Sequence, residues 1–206
     1  MNYSSGLMAV YDLAWTTTGF CVFNYMTDEP VEVGQFTARN KTREPASNEA
    51  SYVMHMAEQV YQGILKPADK WRVDLIIYEY TDWHRDIVGG RKSVNQRRKE
   101  LAIELGTQRT LGRTEGLMAM IGVFHGYKIV GVGANEVKKS FDGNTKTSVA
   151  HMVASILPQW YGFTGDDRRP LLELATGKRL SHHISDALSI ALYVSQKMRM
   201  NRALNR

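Results

Sequence analysis

Four side chains that lie far apart in the sequence could together hold divalent metal ions. They are Asp12, Glu79, His183 and Asp186. Carboxylate oxygens and imidazole nitrogens are ligands that suit Mg²⁺ or Mn²⁺. Two such cations, about 4 Å apart, can stabilise both the attacking and the leaving oxygen when water cleaves a phosphodiester in line. The imidazole could ligate a metal or transfer a proton, because its pKa lies near neutrality. These residue types therefore indicate metal-dependent phosphodiester cleavage, provided that the fold brings them together.

Strand patterns predict how two of the carboxylates are placed. Asp12 ends the apolar run 7–11 and is followed, after a Thr-rich turn, by the second apolar run 20–23, so it lies between two hairpin strands. Glu79 in the same way ends a buried-strand pattern, Val73-Asp74-Leu75-Ile76-Ile77-Tyr78. An acid at the end of a central strand has a backbone that the sheet holds rigidly, which suits a metal ligand.

A helix is predicted to supply the other two ligands. His183 and Asp186 are three residues apart, directly before the apolar-periodic stretch 187–194. Residues at this spacing share one face of a helix. The pair can therefore approach the strand-end carboxylates from across the sheet.

The order of elements along the chain predicts an α/β fold with a five-stranded mixed sheet and helices on both faces. The length favours a single domain over residues 1–206. The predicted elements are strands at about 7–13, 19–25 and 31–38, a helix from after Pro45 to about Leu65 that Pro67 stops, a strand at 73–78, a helix at about 106–126, a strand at 128–132, helices at about 135–141 and 146–157, a loop containing Pro158, Gly162, Gly165 and Pro170, and a last helix to about Met200.

Composition narrows the class of protein. The chain has 206 residues, 43% of them hydrophobic, with a net charge of +5 and one cysteine. The basic excess permits nucleic-acid binding, and Cys21 alone can form no intramolecular disulfide or cysteine-rich zinc site. No apolar stretch approaches 18 residues, so a membrane span is not expected. An intracellular, reducing compartment is the expected location.

Four motifs, taken in order, resemble the catalytic motifs of RuvC-type Holliday-junction resolvases, within the RNase H-like nuclease superfamily. They are Asp12 with Thr16-Thr17-Thr18-Gly19, Glu79 after its strand, Val137-Lys138 with the series from Gly143 through Lys146 to Val153, and His183-Ile184-Ser185-Asp186-Ala187. The resemblance spans nearly the whole chain, and the order and spacing of the motifs are more specific than any one of them.

The resemblance implies an RNase H-like fold, a homodimer, and symmetric Mg²⁺- or Mn²⁺-dependent nicking of four-way junction DNA near the branch point. The ends produced would be a 5′-phosphate and a 3′-hydroxyl, as suits DNA recombination and repair in the cytoplasm of a bacterium or of a phage-infected host cell. By position it makes Asp12, Glu79, His183 and Asp186 metal ligands and catalytic residues. Lys146 would be catalytic too, and Lys138 and Lys146 would contact phosphate. A divergent member, such as a phage-encoded resolvase, would fit.

A basic stretch follows the Glu79 strand. Residues 85–113 hold eight Lys or Arg against three Asp or Glu, and such a segment can track DNA phosphates. Trp83 is placed to stack on bases opened at the crossover, as an aromatic in this loop does in the family. The predicted DNA contacts are Trp83, just before the stretch, and within it Arg91, Lys92, Arg97 and Arg98.

The helix predicted at 106–126 is the expected dimer seam. It carries Leu117, Met120, Ile121 and Phe124 on an apolar stripe, with Gly112, Gly116 and Gly122 beside it. Small residues would allow a partner helix to approach closely, and a two-fold dimer can present two equivalent active sites to a junction.

Other interpretations stay open. Each ligand candidate taken singly has an ordinary role, as a turn former, a helix cap or a solvated charge. The run from Asp12 to Gly19 also resembles the phosphate loop of actin-like ATPases and sugar kinases, although 206 residues leave little room for their second lobe. A nuclease for RNA:DNA hybrids and a non-catalytic junction-binding protein are further alternatives. The family usually has Pro-Gly after the first aspartate, whereas this chain has Leu13-Ala14-Trp15.

Overall fold

A five-stranded mixed sheet in the order β3-β2-β1-β4-β5 forms the centre of the protein. The computed structural model describes residues 5–39, 49–80, 112–141, 146–164 and 171–204. The strands are β1 (Leu7–Asp12), β2 (Thr17–Asn24), β3 (Glu29–Thr37), β4 (Leu75–Tyr80), β5 (Lys128–Gly133), β6 (Tyr161–Thr164) and β7 (Leu171–Leu174). The helices are α1 (Glu49–Trp71), α2 (112–125 within the described residues), α3 (Ala134–Ser140), α4 (Lys146–Ile156) and α5 (His182–Leu204).

Strand β1 is central in the sheet: another strand pairs with each of its edges, and helices cover both of its faces. It pairs with β2 in antiparallel and with β4 in parallel orientation. Met8 and Val10 pack into the core under α4 and α5, whereas Ala9 and Tyr11 pack into the core under α1 and α2, and all four are fully buried. A strand buried on both faces has the continuous apolar sequence seen here.

The predicted fold class is confirmed. The first three strands form the expected meander, with β2 antiparallel to both β1 and β3, and β4 and β5 extend the sheet in parallel. Helix α5 crosses one face, and every residue from Ile184 to Ser195 except Asp186 is buried. Among the described residues, no helix is both long and apolar enough to cross a bilayer.

The prediction that Pro67 stops the first helix is wrong. Helix α1 continues through Pro67 to Trp71. A proline inside a helix costs about 3 kcal/mol, but Ile64, Leu65 and Ala68 around it are all buried against the sheet. Burying one Leu or Ile side chain is worth about 1.5–3 kcal/mol, so the packing of this face outweighs the broken helical hydrogen bond.

The loop predicted between α4 and α5 contains a β-hairpin that the sequence reading missed. Strands β6 and β7 pair in antiparallel register, from Tyr161 opposite Leu174 to Thr164 opposite Leu171. Tyr161 and Leu172 are buried in the α4–α5 core, which anchors the hairpin. Each strand has four residues and lies beside glycine or proline, so a loop was the simpler interpretation.

Helix α2 turns a different face to the sheet from the one its predicted stripe suggested. Ile121 is fully buried, but Met120 and Phe124 are 47% and 70% exposed. Thr114 and Met118 complete the inward face instead. Both sides of this helix are apolar, so periodicity alone did not distinguish the inward from the outward side.

Candidate active site

The ends of two neighbouring parallel strands place Asp12 and Glu79 side by side. Tyr11 of β1 is in register with Tyr78 of β4, and the two acids are the next residues of each strand. Because side chains alternate along a strand, the acids point to the same face as Val10 and Ile77, which is the face that α5 covers.

Helix α5 brings His183 to Asp12. The distance from His183 Nδ1 to Asp12 Oδ2 is 2.6 Å, although 171 positions separate the two in sequence. A carboxylate can only accept, so the imidazole donates through Nδ1. The His182 ring lies beside the His183 ring, with 4.0 Å between their centroids. Asp186 follows one turn later, on the same side of the helix.

Three carboxylates interact strongly at this point. Burial, then the charges of Asp12 and Asp186, and then a hydrogen bond with Asp12 raise the pKa of Glu79 from 4.5 to about 7. The positive charge of Lys138 acts in the opposite direction. A carboxyl whose pKa is raised by burial and by specific neighbouring acids is a common mark of a functional site.

Gly19 allows α5 to come this close. It is opposite Asp12 in the β1–β2 register. A Cβ atom on Gly19 would lie 2.2 Å from the carbonyl oxygen of His183 and 2.7 Å from the amide nitrogen of Ile184. Any other residue would therefore push the start of α5 away from the sheet. The sequence predicts Gly19 at the start of the second strand, and no local pattern signals a contact with a residue so distant in the chain.

Lys138 stands on the short helix α3, at the edge of the carboxylate group. The Tyr193 hydroxyl of α5 donates to Glu136 Oε2 at 3.0 Å, which ties α3 to α5. Lys146 is the first residue of α4, and its side chain lies outside the described part of the chain. The predicted DNA contacts that also lie outside the described residues are Trp83, Arg91, Lys92, Arg97 and Arg98.

The chemistry of these side chains fits a hard divalent cation, since three carboxylates in mutual repulsion need positive charge nearby. In the described parts of the chain, no three His, Cys, Asp or Glu side chains have the arrangement of a formed metal centre. Asp12 and His183 bond directly to each other instead, with side chains 15% and 24% exposed.

The fold is the RNase H-like fold, as comparison with solved structures shows. The chain is similar to Thermus thermophilus RuvC in complex with a Holliday junction substrate, at 17% identity and a TM-score of 0.60, over 94% of this chain and 96% of that one. A second structure of Thermus thermophilus RuvC matches at 18% identity and the same TM-score, over 95% and 96% of the two chains. No protein-family model and no curated protein sequence matches the chain.

The raised pKa of Glu79 predicts an unusual dependence of stability on pH when divalent cations are chelated. A carboxyl whose pKa is higher in the folded than in the unfolded protein stabilises the fold below pH 4.5 and loses that contribution as the pH rises through about 7. Glu79→Gln removes the ionisable group. We therefore expect the melting temperature of Glu79→Gln minus that of the wild type, both in EDTA, to increase from pH 5 to pH 8. Glu58→Gln, at an exposed site on α1, is the control, and parallel curves for all three proteins would refute the prediction.

Gly19→Ala is expected to separate α5 from β2. The added methyl group overlaps backbone atoms of His183, and relieving such an overlap typically costs about 1–3 kcal/mol. Thermal unfolding measures the loss, and imidazole NMR signals report whether His183 has left Asp12. Gly162→Ala is the control, since a Cβ there meets no described atom within 4 Å. Equal melting temperatures for the two variants would show that α5 does not need Gly19.

Proposed function

We propose that this protein is a divalent-metal-dependent endonuclease that resolves four-way DNA junctions by symmetric nicking near the branch point. The observation that carries the proposal is the convergence of Asp12, Glu79, His183 and Asp186 at one edge of an RNase H-like sheet. The four residues come from three separate elements. Structural roles such as capping or turn formation would not require them to meet.

In this proposal, Asp12, Glu79 and Asp186, with His183, hold two divalent cations. The bound cations would polarise the scissile phosphodiester and lower the pKa of the attacking water. His183 orients the Asp12 carboxylate through the 2.6 Å hydrogen bond. Lys138 lowers the negative potential around Glu79, and we assign it a contact with the phosphate. Lys146 is assigned a similar role from the sequence motif alone.

Two further observations support junction DNA as the substrate. The RuvC structure of similar fold was determined with a Holliday junction substrate. The chain's net charge of +5 favours a polyanion, and the basic stretch 85–113 begins just after the Glu79 strand. We assign phosphate contacts to Arg91, Lys92, Arg97 and Arg98, and base stacking to Trp83, on the motif resemblance.

The outward face of α2 supports a homodimer. At 100° per residue, five exposed positions fall within about one third of the helix circumference. None of them is charged: they are Gly112, Gly116, Ala119, Met120 and Val123. Val123 and the adjacent Phe124 are 79% and 70% exposed. A solvent-facing helix normally carries charged residues there, so this face is suited to burial against a partner.

The same face is complementary to a second copy of itself. A Cβ on Gly112 or Gly116 would meet no described atom within 4 Å, and Met120 and Phe124 continue the row at spacings of four. In an antiparallel pair around a two-fold axis, Met120 and Phe124 of each α2 helix would lie against Gly116 and Gly112 of the other. Gly122, predicted as part of the seam, instead faces inward, because a Cβ there would lie 2.8 Å from Ile129.

The first test is strand-specific cleavage of a labelled four-way junction, beside linear duplex and RNA:DNA hybrid, with Mg²⁺, Mn²⁺ or chelator. We expect paired symmetric nicks in the junction alone, lost in chelator, whose ends DNA ligase can seal. Asp12→Asn, Glu79→Gln and Asp186→Asn should each lower kcat by about 100-fold or more and leave junction binding intact. Cleavage of the hybrid would reassign the protein as a ribonuclease, and binding without cleavage would make the site non-catalytic.

The dimer is tested by light scattering at micromolar concentration. Phe124→Arg places a charge in the proposed seam, so the protein should become monomeric while its melting temperature as a monomer stays within a few degrees. Gly116→Leu should act similarly, by filling the space for Met120 of the other copy. Met54→Arg is the matched control, because Met54 is 73% exposed on α1. A wild-type monomer, or a Phe124→Arg dimer, would overturn the assigned seam.

A further inference from the structure

The loop that joins Asp12 to β2 is held at several points. The Thr18 hydroxyl, fully buried, donates to the Ala14 carbonyl at 2.8 Å and accepts from the Ala14 amide at 3.2 Å. The Thr16 carbonyl accepts from the Ala38 amide at 2.8 Å, which ties the loop to the end of β3. These bonds fix the backbone directly after the Asp12 carboxylate.

Trp15 is the largest side chain of this loop and is buried in the core of the protein. Its side chain is only 7% exposed and belongs to the core that Met118 and Ile121 of α2 also form. The guanidinium carbon of Arg113, in the first described turn of α2, is 5.8 Å from the centroid of the Trp15 ring. A cation at this distance over an indole face is attracted to it. Trp15 thus joins the loop after Asp12 to the N-terminal part of α2.

The geometry of the site is sensitive to this loop. Asp12 accepts from His183 at 2.6 Å and lies against Glu79, so a small displacement of the strand end alters both contacts. In enzymes, a misplacement of about 1 Å can cost 100-fold in rate. The contacts that hold Trp15, three residues after Asp12, therefore help to set the position of the Asp12 carboxylate.

We propose that Trp15 is a positioning residue, which couples the Asp12 carboxylate to α2 through its contact with Arg113. The inference rests on the proposed nuclease function and deepens it, because the outward face of α2 is the proposed dimer seam. Gly112, where a partner's side chain would enter, directly precedes Arg113. Pairing of two copies would then hold the loop after Asp12, and with it the Asp12 carboxylate, in the position required for cleavage.

The chain contains a matched control for this contact. Trp71, the last residue of α1, packs against the same core and has the Lys70 ammonium 5.1 Å from its ring centroid. It lies near the start of β4, whereas Asp12 and Glu79 lie where β1 and β4 end. Trp71 is partly buried and its indole N–H also donates to Glu32. Replacing it therefore removes core packing, a cation contact and a hydrogen bond without touching the loop after Asp12.

The experiment compares Trp15→Leu, Trp15→Phe, Arg113→Met and Trp71→Leu in steady-state cleavage of the junction by the full chain. We expect Trp15→Leu to lower kcat by about 10- to 100-fold with KM unchanged. Trp15→Phe should keep most of kcat, because its ring can still receive the guanidinium. Arg113→Met should lower kcat by about 2- to 5-fold. If Arg113 instead contacts DNA, its KM will rise at constant kcat, and the proposed coupling is refuted.

The backbone amide of Ala14 donates a hydrogen bond to the Thr18 hydroxyl. Its hydrogen-exchange rate tests the positioning role of Trp15 independently of any cleavage assay. Exchange should accelerate in Trp15→Leu and stay at the wild-type rate in Trp71→Leu, at a temperature where both variants are folded. Equal exchange and equal kcat in those two variants would overturn the positioning role. A wild-type protein that cuts no junction would refute the proposed function alone, since the exchange comparison would still decide whether Trp15 holds the loop.

Discussion

The structure depends on holding three carboxylates together against their mutual repulsion. Asp12, Glu79 and Asp186 lie close enough that the charges of the other two raise the pKa of Glu79. Such an arrangement persists only if rigid elements impose it. Strands β1 and β4 have adjacent, buried backbones, and α5 is buried along twelve residues from Ile184 to Ser195 with Asp186 as the one exception. The packing of the core thus supplies the free energy that the acidic group costs.

The site also requires that α5 approach the sheet closely, and this is possible because Gly19 has no side chain. Gly19 lets the backbone of His183 lie where a Cβ would otherwise be. Because Gly19 is opposite Asp12 in the sheet, the same contact sets how far His183 can reach toward that carboxylate. The histidine–aspartate hydrogen bond is consequently a result of backbone packing, in which the start of β2 and the start of α5 act together.

Much of the fold could be predicted from the sequence, because most elements have a clear period. The runs 7–11 before Asp12 and 75–78 before Glu79 are apolar, which is typical of central strands, and the His183–Asp186 spacing indicates one helix face. Three features could not be read this way. The hairpin of β6 and β7 is too short for a reliable period, the burial around Pro67 is a tertiary property, and α2 is apolar on two sides. The close approach at Gly19 likewise joins residues that only the folded chain brings together.

The two ends of the central strands use carboxylates in opposite ways. Where β1 and β4 begin, Asp74 accepts hydrogen bonds from the Gly6 amide at 2.8 Å and the Tyr25 hydroxyl at 2.9 Å. Burial alone would raise the pKa of Asp74, but the bonds from Tyr25, Ser5 and Gly6 together lower it. Glu79, where β4 ends, has acids for neighbours, and its pKa rises. The first carboxylate is satisfied by donors of the protein and stabilises the fold. Among the described residues, the groups that act on Glu79 are the acids Asp12 and Asp186 and the more weakly acting Lys138, so the group as a whole favours a cation, which is the property that a cation-binding site requires.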